Sequence, residues 1–511
     1  MTLTEKLLAR AAGKASVQAG DNIWVKADVL MTHDVCGPGT IGVFKREFGK
    51  TAKVWDRQRV VIIPDHYIFT ADSKSNRNVD ILRDFVREQG LQYFYDVIDD
   101  PNGHWVFDAA KGPMRRQYGN SFAGVCHTAL AAKGHTRPGE ILLGTDSHTC
   151  MAGAFGEFAT GIGNTDAGFV LGTGKLLLKV PETMRFWLDG KLQPGVMAKD
   201  VILHVIGDIG FDGATYRSMQ FDGPGAKSLN MDDRMTIANM AIEAGGKNGI
   251  FEPDQTTFDY VNERTKFNGT KSNYDPVFCD KDQTFVYDKK TDLSKLEPTV
   301  ACHPNPGVRK LAKELGNIAL DRAYIGSCTG GKSSDFFAFA EIVKGKKVKI
   351  DTFGVPATPE VIADLRASNV WQVLVDAGVQ MSENPGCAAC LGGPADTFGR
   401  MNKPLKCISA TNRNFPGRSG PGQLYLASPY TVAASALAGR ITAWEPEPAA
   451  AVFSDQTAGT PEVPGSIERI ARAADDARYR RREAVLPLWE RHLLPGKLVN
   501  TVVRRSLTVL E

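Results

Sequence analysis

Short apolar runs that end abruptly in polar residues recur in the first third of this chain. Residues 60–63 form an unbroken β-branched run, which is typical of a buried parallel strand, and Pro64-Asp65-His66 follows directly. Residues 140–144 repeat the arrangement and lead into Thr145-Asp146-Ser147-His148-Thr149. Open α/β sheets bind ligands just beyond the carboxyl ends of their strands. We therefore predict a site at a sheet edge, with the adjacent Asp65 and His66 as an oriented acid/base pair.

Two further segments can add imidazoles to that edge. Residues 31–40 carry His33 and Asp34 ahead of a Gly/Pro turn and read as a loop, and residues 123–128 present His127. Taken singly, each histidine could be a structural residue whose hydrogen bonds are satisfied inside the fold. Several polar segments of this kind in one chain favour a shared site.

The apolar spacing becomes helical at residues 231–246. Aspartates stand in the first turn, and Gly245 marks the end of the pattern. Asn239 and Glu243 are four residues apart, so one helix face presents an amide and a carboxylate together. The alternative is a solvated helix edge without a chemical role.

Strand and helix patterns alternate again towards the carboxyl end, after an irregular, Pro-containing boundary region at residues 292–305. The predicted elements are a strand at 323–325, a helix at 332–344, a strand beginning at Val348, a helix from Pro359 to about Gly378, and a helix from Pro429 to Gly439. Together with the strands at 60–63 and 140–144, this alternation predicts an α/β fold.

Three cysteines on two loops give the clearest chemical signal. Cys387 and Cys390 form a Cys-x-x-Cys in a Pro/Gly-rich loop, and Cys328 follows the predicted strand at 323–325. Cys-x-x-Cys is also the spacing of a structural zinc site or a dithiol redox pair. Three thiolates can instead hold three corners of an iron–sulfur cube, whose open fourth iron acts as a Lewis acid. The spacing alone leaves these interpretations open.

Two arginines lie downstream of the cysteine loops. Arg413 and Arg418 bracket a Phe-Pro-Gly bend. Guanidinium groups on a loop near a metal suit the binding of carboxylates. Surface arginines are common, so the pair by itself does not decide the question.

Composition sets the scale of the molecule. With 511 residues, 42% hydrophobic and 23% charged, the chain suggests a globular protein of about three domains. No apolar run approaches the roughly 18 residues of a membrane span and the N-terminus lacks a signal core, so we expect a cytoplasmic protein. The nine cysteines are odd in number and scattered, which fits a reducing compartment better than a disulfide framework.

The net charge of +3 is concentrated in the tail. Residues 466–511 hold ten Lys/Arg against six Asp/Glu, which leaves about −1 for the rest of the chain. The main body therefore carries no basic footprint for nucleic acid.

Taken together, the motifs resemble those of the aconitase superfamily, most closely the large subunits of isopropylmalate isomerases, homoaconitases and other alkylmalate dehydratases. The matching segments, in the family's order, are Pro64-Asp65-His66, Gly124-Val125-Cys126-His127, the segment 145–149, the segment 239–243, Gly326-Ser327-Cys328-Thr329, Pro385-Gly386-Cys387 with Cys390, and Asn412-Arg413-Asn414-Phe415 with Gly417 and Arg418. Seven co-linear segments are far more specific than one, and they favour the iron–sulfur interpretation.

The resemblance implies three α/β domains packed around a [4Fe–4S] cluster. They would comprise residues 1–189, 190–300 and the cluster-binding 301–445, followed by a Pro-rich linker at 446–465 and a basic extension at 466–511. Cys328, Cys387 and Cys390 would be the metal ligands.

The resemblance also implies roles for the polar residues. Asp65 and His66 would protonate the departing hydroxyl, and Asp146 would pair with His127. His148, Asn239 and Glu243 would order the hydroxyl or water. Arg413 and Arg418, with Asn412, would bind the substrate carboxylate. Ser147 and, more weakly, His33 would also bind substrate.

Two residues depart from the family pattern. Gly330 follows Ser-Cys-Thr where an Asn is usual, so an amide beside the cluster is lost. Met151 replaces an Asn that aconitases place after Asp-Ser-His-Thr, which argues against citrate as the substrate.

A larger difference is the family's fourth, swivelling domain, which bears a serine base in a Gly-Ser-Ser-Arg type segment and has no counterpart here. We therefore expect the large subunit of a hydro-lyase of amino-acid biosynthesis, which dehydrates and rehydrates a 2-hydroxy di- or tricarboxylate, such as isopropylmalate, with a small subunit supplying the serine. A homoaconitase or another alkylmalate dehydratase is the alternative. A cluster-responsive RNA-binding protein is the competing class, supported only by the basic tail.

Overall fold

A computed structural model describes residues 1–108, 112–118, 121–268 and 273–446. Residues Met1–Pro446 form one compact unit. The predicted linker and basic extension lie, from residue 447 onward, outside the described residues. In the described ranges, no helix combines the length and apolar character that crossing a bilayer requires.

The strands and helices alternate along the unit. The strands are β1 (Asn22–Lys26), β2 (Val29–Thr32), β3 (Val60–Ile62), β4 (Tyr93–Phe94), β5 (Val97–Asp108), β6 (Gly112–Tyr118), β7 (Ile141–Gly144), β8 (Phe158–Gly161), β9 (Lys175–Lys179), β10 (Thr183–Asp189), β11 (Ser218–Asp222), β12 (Asn248–Phe251), β13 (Tyr287–Asp292), β14 (Thr299–Ala301), β15 (Arg309–Leu311), β16 (Arg322–Gly326), β17 (Asp351–Val355), β18 (Gln380–Met381), β19 (Leu405–Ser409) and β20 (Gly422–Leu426). The α-helices are α1 (Leu3–Ala12), α2 (Gly37–Phe48), α3 (Ser73–Gln89), α4 (Cys126–Ala132), α5 (Asn164–Thr173), α6 (Ala198–Ile209), α7 (Pro224–Ser228), α8 (Met231–Asn239), α9 (Gln255–Asn268), α10 (Ser327–Gly330), α11 (Ser333–Val343), α12 (Pro359–Ala367), α13 (Val370–Asp376), α14 (Ala388–Leu391) and α15 (Pro429–Ala438). Tight 3-10 turns occupy Ser147–Phe155, Met240–Ala244, Leu293–Lys295 and Ala312–Leu315.

Three larger sheets organise the unit. A five-stranded sheet has the order β4-β3-β2-β7-β8, and a four-stranded sheet has the order β12-β11-β10-β13; both are wholly parallel. A seven-stranded sheet has the order β15-β14-β20-β19-β16-β17-β18, and its strands are parallel from β20 to β18. The pairs β1–β9 and β5–β6 form two-stranded antiparallel sheets. The predicted α/β class with parallel sheets is therefore confirmed.

Several predicted elements are confirmed with their local signals. The apolar runs at 60–63 and 140–144 contain β3 and β7, and residues 323–325 lie inside β16. Thr358 accepts the backbone N–H of Val361 and so caps α12 as expected. The pattern at 231–246 forms α8 and then a 3-10 turn, and Gly245 ends it in the left-handed conformation. Also confirmed are the helices predicted at 332–344 and from Pro429 to Gly439, which correspond to α11 and α15.

Four predictions of local structure were wrong or incomplete. The segment read as a loop at 31–40 begins in β2, and its Gly/Pro turn is the first turn of α2, where proline needs no hydrogen-bonded N–H. The boundary region at 292–305 contains β14. The strand expected from Val348 begins at Asp351, because the N–H groups of residues 348 and 349 bind the carbonyls of Ala377 and Ala436 rather than a neighbouring strand. The helix expected to reach Gly378 breaks at Asn369, which adopts φ 62°.

The predicted domain boundaries stay predictions. The residue ranges of the three larger sheets can be compared with them. The five-stranded sheet lies within residues 1–189, and the strands of the seven-stranded sheet lie between 299 and 426. β10, which precedes the predicted boundary at 189, pairs with β11 and β13 of the four-stranded sheet.

The cysteine region belongs to the core of the unit. Cys328, Cys387 and Cys390 lie in the same buried apolar cluster as Phe186 and Phe221 of the four-stranded sheet. Apolar burial therefore holds the segments that carry the three thiols.

One backbone contact joins the start of α4 to the turn between β17 and α12. Gly124 has φ 88°, and a Cβ there would lie 2.2 Å from the carbonyl oxygen of Ala357. The N–H of Val125 donates to that same carbonyl at 2.8 Å. The backbone approach therefore requires a residue without a side chain at position 124.

Candidate active site

Three neighbouring strands of the five-stranded sheet deliver the histidines and their carboxylates. β2 lies between β3 and β7 and is parallel to both, so their carboxyl ends share one edge. His33 follows β2, Asp65 and His66 follow β3, and residues 146–148 follow β7. His127 joins them from the first turn of α4. The structure thus brings together the polar residues expected at this edge.

Asp65 and His66 form a buried pair. Nδ1 of His66 lies 2.6 Å from Oδ1 of Asp65, whose Oδ2 accepts the backbone N–H of Cys126 at 2.7 Å. Burial disfavours the imidazolium, but the Asp65 carboxylate, with Asp34 and Asp146, outweighs burial and raises the pKa of His66 to about 10. His66 is therefore protonated at neutral pH.

Asp34 is a positioning residue that was not among the predicted site residues. Its carboxylate accepts three consecutive backbone N–H groups, those of Asp65 at 2.9 Å, His66 at 3.0 Å and Tyr67 at 2.7 Å. The carboxylate therefore fixes the turn that carries the acid/base pair. The sequence signal was present, because Asp34 directly follows His33, but the segment was read as a loop and β2 before it went unrecognised.

A second hydrogen-bonded network joins β7 to the arginine loop. Oδ1 of Asp146 lies 2.8 Å from Nε2 of His127 and accepts the backbone N–H of His148 at 2.8 Å. Nε2 of His148 lies 2.7 Å from Oε1 of Glu243, which also accepts Nε–H of Arg413 at 2.6 Å. Imidazoles and carboxylates therefore alternate through the network.

These contacts set the protonation of the network. Burial and the charge of Arg413 act to lower the pKa of His148, but hydrogen bonds to Asp146 and Glu243 prevail and raise it to about 9. Burial would raise the pKa of Glu243, yet Arg413 and His148 hold it below its usual range. His148 is therefore cationic and Glu243 anionic at neutral pH.

The three predicted cysteine ligands lie together. Cys328 stands in α10 after β16, while Cys387 and Cys390 lie at and within α14. Each thiol side chain is buried. Asn239 and Asn412 donate their side-chain N–H groups to Sγ of Cys328 at 3.1 Å and 3.3 Å.

The surroundings favour the thiolate at two of the three cysteines. A hydrogen bond from Cys387 is the main cause that lowers the pKa of Cys328 to about 5, and it acts against burial. The bond from Cys387 likewise lowers the pKa of Cys390 to about 6, with a contribution from Arg418. The same two hydrogen bonds raise the pKa of Cys387, the donor, well above its usual value, so Cys328 and Cys390 are the two that favour the thiolate, the form that binds metals.

One cavity connects the two groups of side chains. The predicted residues that line it are His66, His127, Asp146, His148, Cys328, Cys387, Cys390, Asn412, Arg413 and Arg418. Asp65, Asn239 and Glu243 each contact at least one of these side chains directly. The ring of His33 lies 4.5 Å from that of His66, centroid to centroid.

Ser147 is the predicted residue that the structure places least firmly in the site. Its Oγ lies 3.5 Å from Nδ1 of His148, at the limit of a hydrogen bond, and it does not line the cavity.

Four buried polar atoms on predicted site residues have no hydrogen-bond partner among the described residues: His33 Nε2, His127 Nδ1, Glu243 Oε2 and Arg418 Nε. Because buried polar atoms are almost always paired, these open donors and acceptors fit a polar ligand.

The two departures from the family pattern have local explanations. A Cβ at Gly330 would lie 2.5 Å from Cβ of Ala410, so the close approach of these two segments admits only glycine without movement. Met151 is buried, and its sulfur lies 3.5 Å from Nδ2 of Asn239. Met151 therefore packs behind the amide that contacts Cys328.

Comparison of the sequence with known protein families identifies the class to which this fold and this site belong. The chain matches the model of the aconitase family (aconitate hydratase) over residues 5–314 and 307–439. It therefore belongs to the aconitase family, as its motifs predicted.

Relatives within the family are more specific. The chain is 57% identical over 453 residues to the chloroplastic 3-isopropylmalate dehydratase large subunit of Arabidopsis thaliana, with 86% of each chain covered. It is 42% identical over 446 residues to a probable 3-isopropylmalate dehydratase large subunit of Methanothermobacter thermautotrophicus, covering 86% of this chain and 98% of that one. The chain is thus a homologue of these large subunits. A solved structure, holo aconitase X of Thermococcus kodakaraensis, aligns at a TM-score of 0.42 and 12% identity over 81% of this chain and 93% of that chain, too low for any argument about the site.

Proposed function

We propose that this chain is the large subunit of a 3-isopropylmalate dehydratase, a hydro-lyase that removes water from a 2-hydroxy dicarboxylate and returns it to the neighbouring carbon. The observation that carries the proposal is the convergence of three cysteine thiols, the Asp65–His66 pair and two arginines on one cavity. The large subunits that resemble the chain over most of its length support the same activity and a place in leucine biosynthesis.

The donor set fits a [4Fe–4S] cluster held by Cys328, Cys387 and Cys390. A fourth thiol, that of Cys126, also lines the cavity, but burial and the Asp65 and Asp146 carboxylates raise its pKa well above its usual value. Hydrogen bonds join Cys387 to Cys328 and Cys390, whereas the thiol of Cys126 hydrogen-bonds to Asp65, so the three mutually bonded cysteines are assigned as the protein ligands. When bound, the cluster supplies a Lewis acid for the substrate hydroxyl.

Acid catalysis falls to His66. Its Nδ1 is held by Asp65, so Nε2 is the atom that gives a proton to the departing hydroxyl. The turn that Asp34 clamps fixes this direction before substrate binds. Glu243, through its unpaired Oε2, and His148 order the hydroxyl or water as it leaves and returns.

Substrate carboxylates bind to the arginine loop. Arg413 is oriented by Glu243, and the unpaired Nε of Arg418 provides a further charged donor. Nε2 of His33 is available to the substrate beside the ring of His66. These contacts hold the hydroxyl and the neighbouring C–H in reacting geometry.

The carbon-bound proton needs a base from a partner. The relatives are named as large subunits, which supports a small subunit that carries the swivelling domain and supplies the serine. Within this proposal, residues 1–189, 190–300 and 301–445 are three α/β domains around the cluster. The location is cytoplasmic in this proposal, whereas the Arabidopsis relative is named as chloroplastic, and subcellular fractionation decides between them.

Two experiments test the function. Anaerobically purified protein should contain about four irons with matching sulfide, and aeration should lower activity that ferrous iron and thiol restore. Tightly bound zinc in place of iron would overturn the cofactor assignment.

The second experiment assays the reconstituted chain with and without a small subunit on 3-isopropylmalate, citramalate, homocitrate and citrate. Turnover should require the small subunit and be fastest with 3-isopropylmalate. Fast turnover of homocitrate would reassign the chain to the homoaconitases, and robust turnover by the large chain alone would remove the need for a partner.

A further inference from the structure

Two buried lysines contact the loop that carries Cys328, and neither takes part in the mechanism above. Lys199 and Lys332 are 2% and 3% exposed as whole residues. Nζ of Lys199 lies 3.5 Å from Oγ1 of Thr329, and Nζ of Lys332 donates to the carbonyl of the same threonine at 2.7 Å. Both ammonium groups therefore approach the residue next to the cysteine.

The two ammonium groups differ in charge balance. Lys332 forms an ion pair with Asp335 at 3.0 Å. In the described part of the chain, Lys199 makes no ion pair; its other acceptors are the backbone carbonyls of Ala410, at 3.1 Å, and Thr411. The amine of Lys199 is therefore surrounded by neutral hydrogen-bond acceptors.

The carboxylate next in sequence, that of Asp200, forms no ion pair with Lys199 among the described residues. The two oxygens of Asp200 accept the backbone N–H groups of Met197 and Thr299, each at 2.8 Å. These bonds cap the start of α6 and join it to β14. The side chain of Asp200 is thus committed to the backbone.

The setting of Lys199 is electrostatically unfavourable for an isolated cation. It stands in the first turn of α6, where the positive end of the helix dipole opposes a positive side chain. Burial, followed by the charge of Lys332, lowers the pKa of Lys199 to about 7, while Asp335 and then Cys328 and Cys390 act in the opposite direction. A buried charge without a partner destabilises a fold, so a nearby negative group is needed to balance it.

We propose that Lys199 is the counter-charge of the cluster bound by the three cysteines. A [4Fe–4S]²⁺ core with three thiolates has one net negative charge, which a single ammonium group balances, and net charge is one of the factors that set a cluster's reduction potential. The inference rests on the proposed function, because it requires the cluster. Lys199 acts as a positioning residue: it raises the reduction potential, slows the loss of iron and holds the segment that leads into Asn412.

The test compares full-length variants reconstituted anaerobically. Lys199→Met removes the charge, Lys199→Arg keeps it, and the matched control Lys332→Met/Asp335→Leu removes an equally buried ammonium together with its carboxylate. The midpoint potential of the cluster and the rate of iron release to a ferrous chelator are measured for each. We expect Lys199→Met to have a lower potential and roughly tenfold faster iron release, with the other two close to wild type.

The thermal stability of the cluster-free and cluster-loaded forms separates this role from a purely structural one. Lys199→Met should lose clearly more stability with the cluster than without it, because in the cluster-free form the removal of a buried charge offsets the loss of its hydrogen bonds. Equal destabilisation of both forms, or an unchanged potential, would overturn the proposal while leaving the function intact. If Lys199→Met does not fold without the cluster, the lysine is structural and the proposal is also overturned. Wild-type protein that binds no iron would overturn the proposed function and this inference together.

Discussion

The two halves of the site balance their charges in different ways. In the histidine half, which follows strands of the five-stranded sheet, His66 lies 2.6 Å from Asp65 and His148 lies 2.7 Å from Glu243. In the cysteine half, the described residues that hydrogen-bond to Cys328 are the amides of Asn239 and Asn412 and another thiol. The first half pairs cations with anions inside the protein, whereas in the second half the hydrogen bonds to Cys328 come from neutral groups.

This difference separates two kinds of chemistry. The fold alone sets the proton positions of the histidine half, because each imidazolium has its own carboxylate. The cysteine half has the charge of a ligand set, and in the proposed function a metal cluster completes it. Substitutions in the cysteine half should therefore change metal content, while those in the histidine half should change proton transfer with the metal retained.

The largest effect is expected from Cys387→Ser. Cys387 hydrogen-bonds to both Cys328 and Cys390, so its loss removes one ligand and disturbs the other two. Iron content and activity should both fall to background, as measured by iron analysis and the isopropylmalate assay. Cys302→Ser, at a buried cysteine outside the cavity, should retain iron. Full iron content in Cys387→Ser would remove that cysteine from the ligand set.

His66→Gln should impair proton transfer in the histidine half and leave the cysteine half intact. The variant lacks the proposed acid for the leaving hydroxyl, so kcat should fall roughly 10²–10⁴-fold. Iron content should match wild type, because His66 is not a ligand. His204→Gln, at a partly exposed histidine paired with Asp208, serves as the control. Loss of iron together with activity in His66→Gln would show that the two halves are not separable.

Asp65→Asn should shift the pH dependence. The folded-state pKa of His66 is raised from 6.5 to about 10, so its contribution to stability is complete below about pH 6.5 and is lost as the pH rises through about 10. Removing the carboxylate should move the alkaline limb of kcat towards neutral pH and remove that pH-dependent stability. The measurements are a kcat–pH profile and melting temperatures across the same range. An unmoved alkaline limb would mean that another group is the acid.

The smallest effect is expected from Gly330→Ala, which tests the packing of the cysteine half. The added methyl group would meet Ala410, so the cluster-free protein should lose about 1–3 kcal/mol of unfolding free energy in denaturant titrations. Gly42→Ala is the control, because position 42 in α2 has nothing within 4 Å of an added Cβ. The control should gain roughly 0.5–1 kcal/mol. Equal stability of both variants would contradict the close approach at Ala410.

The sequence predicted those elements whose limits are marked by neighbouring residues in the chain. The strand ends at 60–63 and 140–144 were readable because each apolar run stops at a charged or polar residue. β2 was missed because its four residues stand beside a Gly-Pro-Gly segment that resembles a turn but starts a helix. The break at Asn369 depends on one left-handed residue, for which the helical pattern gave no warning.

The roles of Asp34 and Lys199 depend on contacts between distant segments. A sequence shows that a residue is charged but not that it is buried, and surface positions are the usual ones for both types. The three N–H groups that Asp34 accepts come from a turn some thirty residues away. The acceptors of Lys199 lie more than a hundred residues away. Only tertiary packing brings such groups together.

The glycine at position 124 has a consequence for how related chains can diverge. The helix that presents His127 and the turn that precedes α12 meet there backbone to backbone, with the carbonyl of Ala357 occupying the space of any side chain. Exchange to alanine, the smallest change available, already requires the two segments to part. As long as both segments keep their positions, no substitution at Gly124 can be accommodated. We expect a library of all amino acids at position 124 to return glycine alone under selection for activity, even though the residue contacts no substrate.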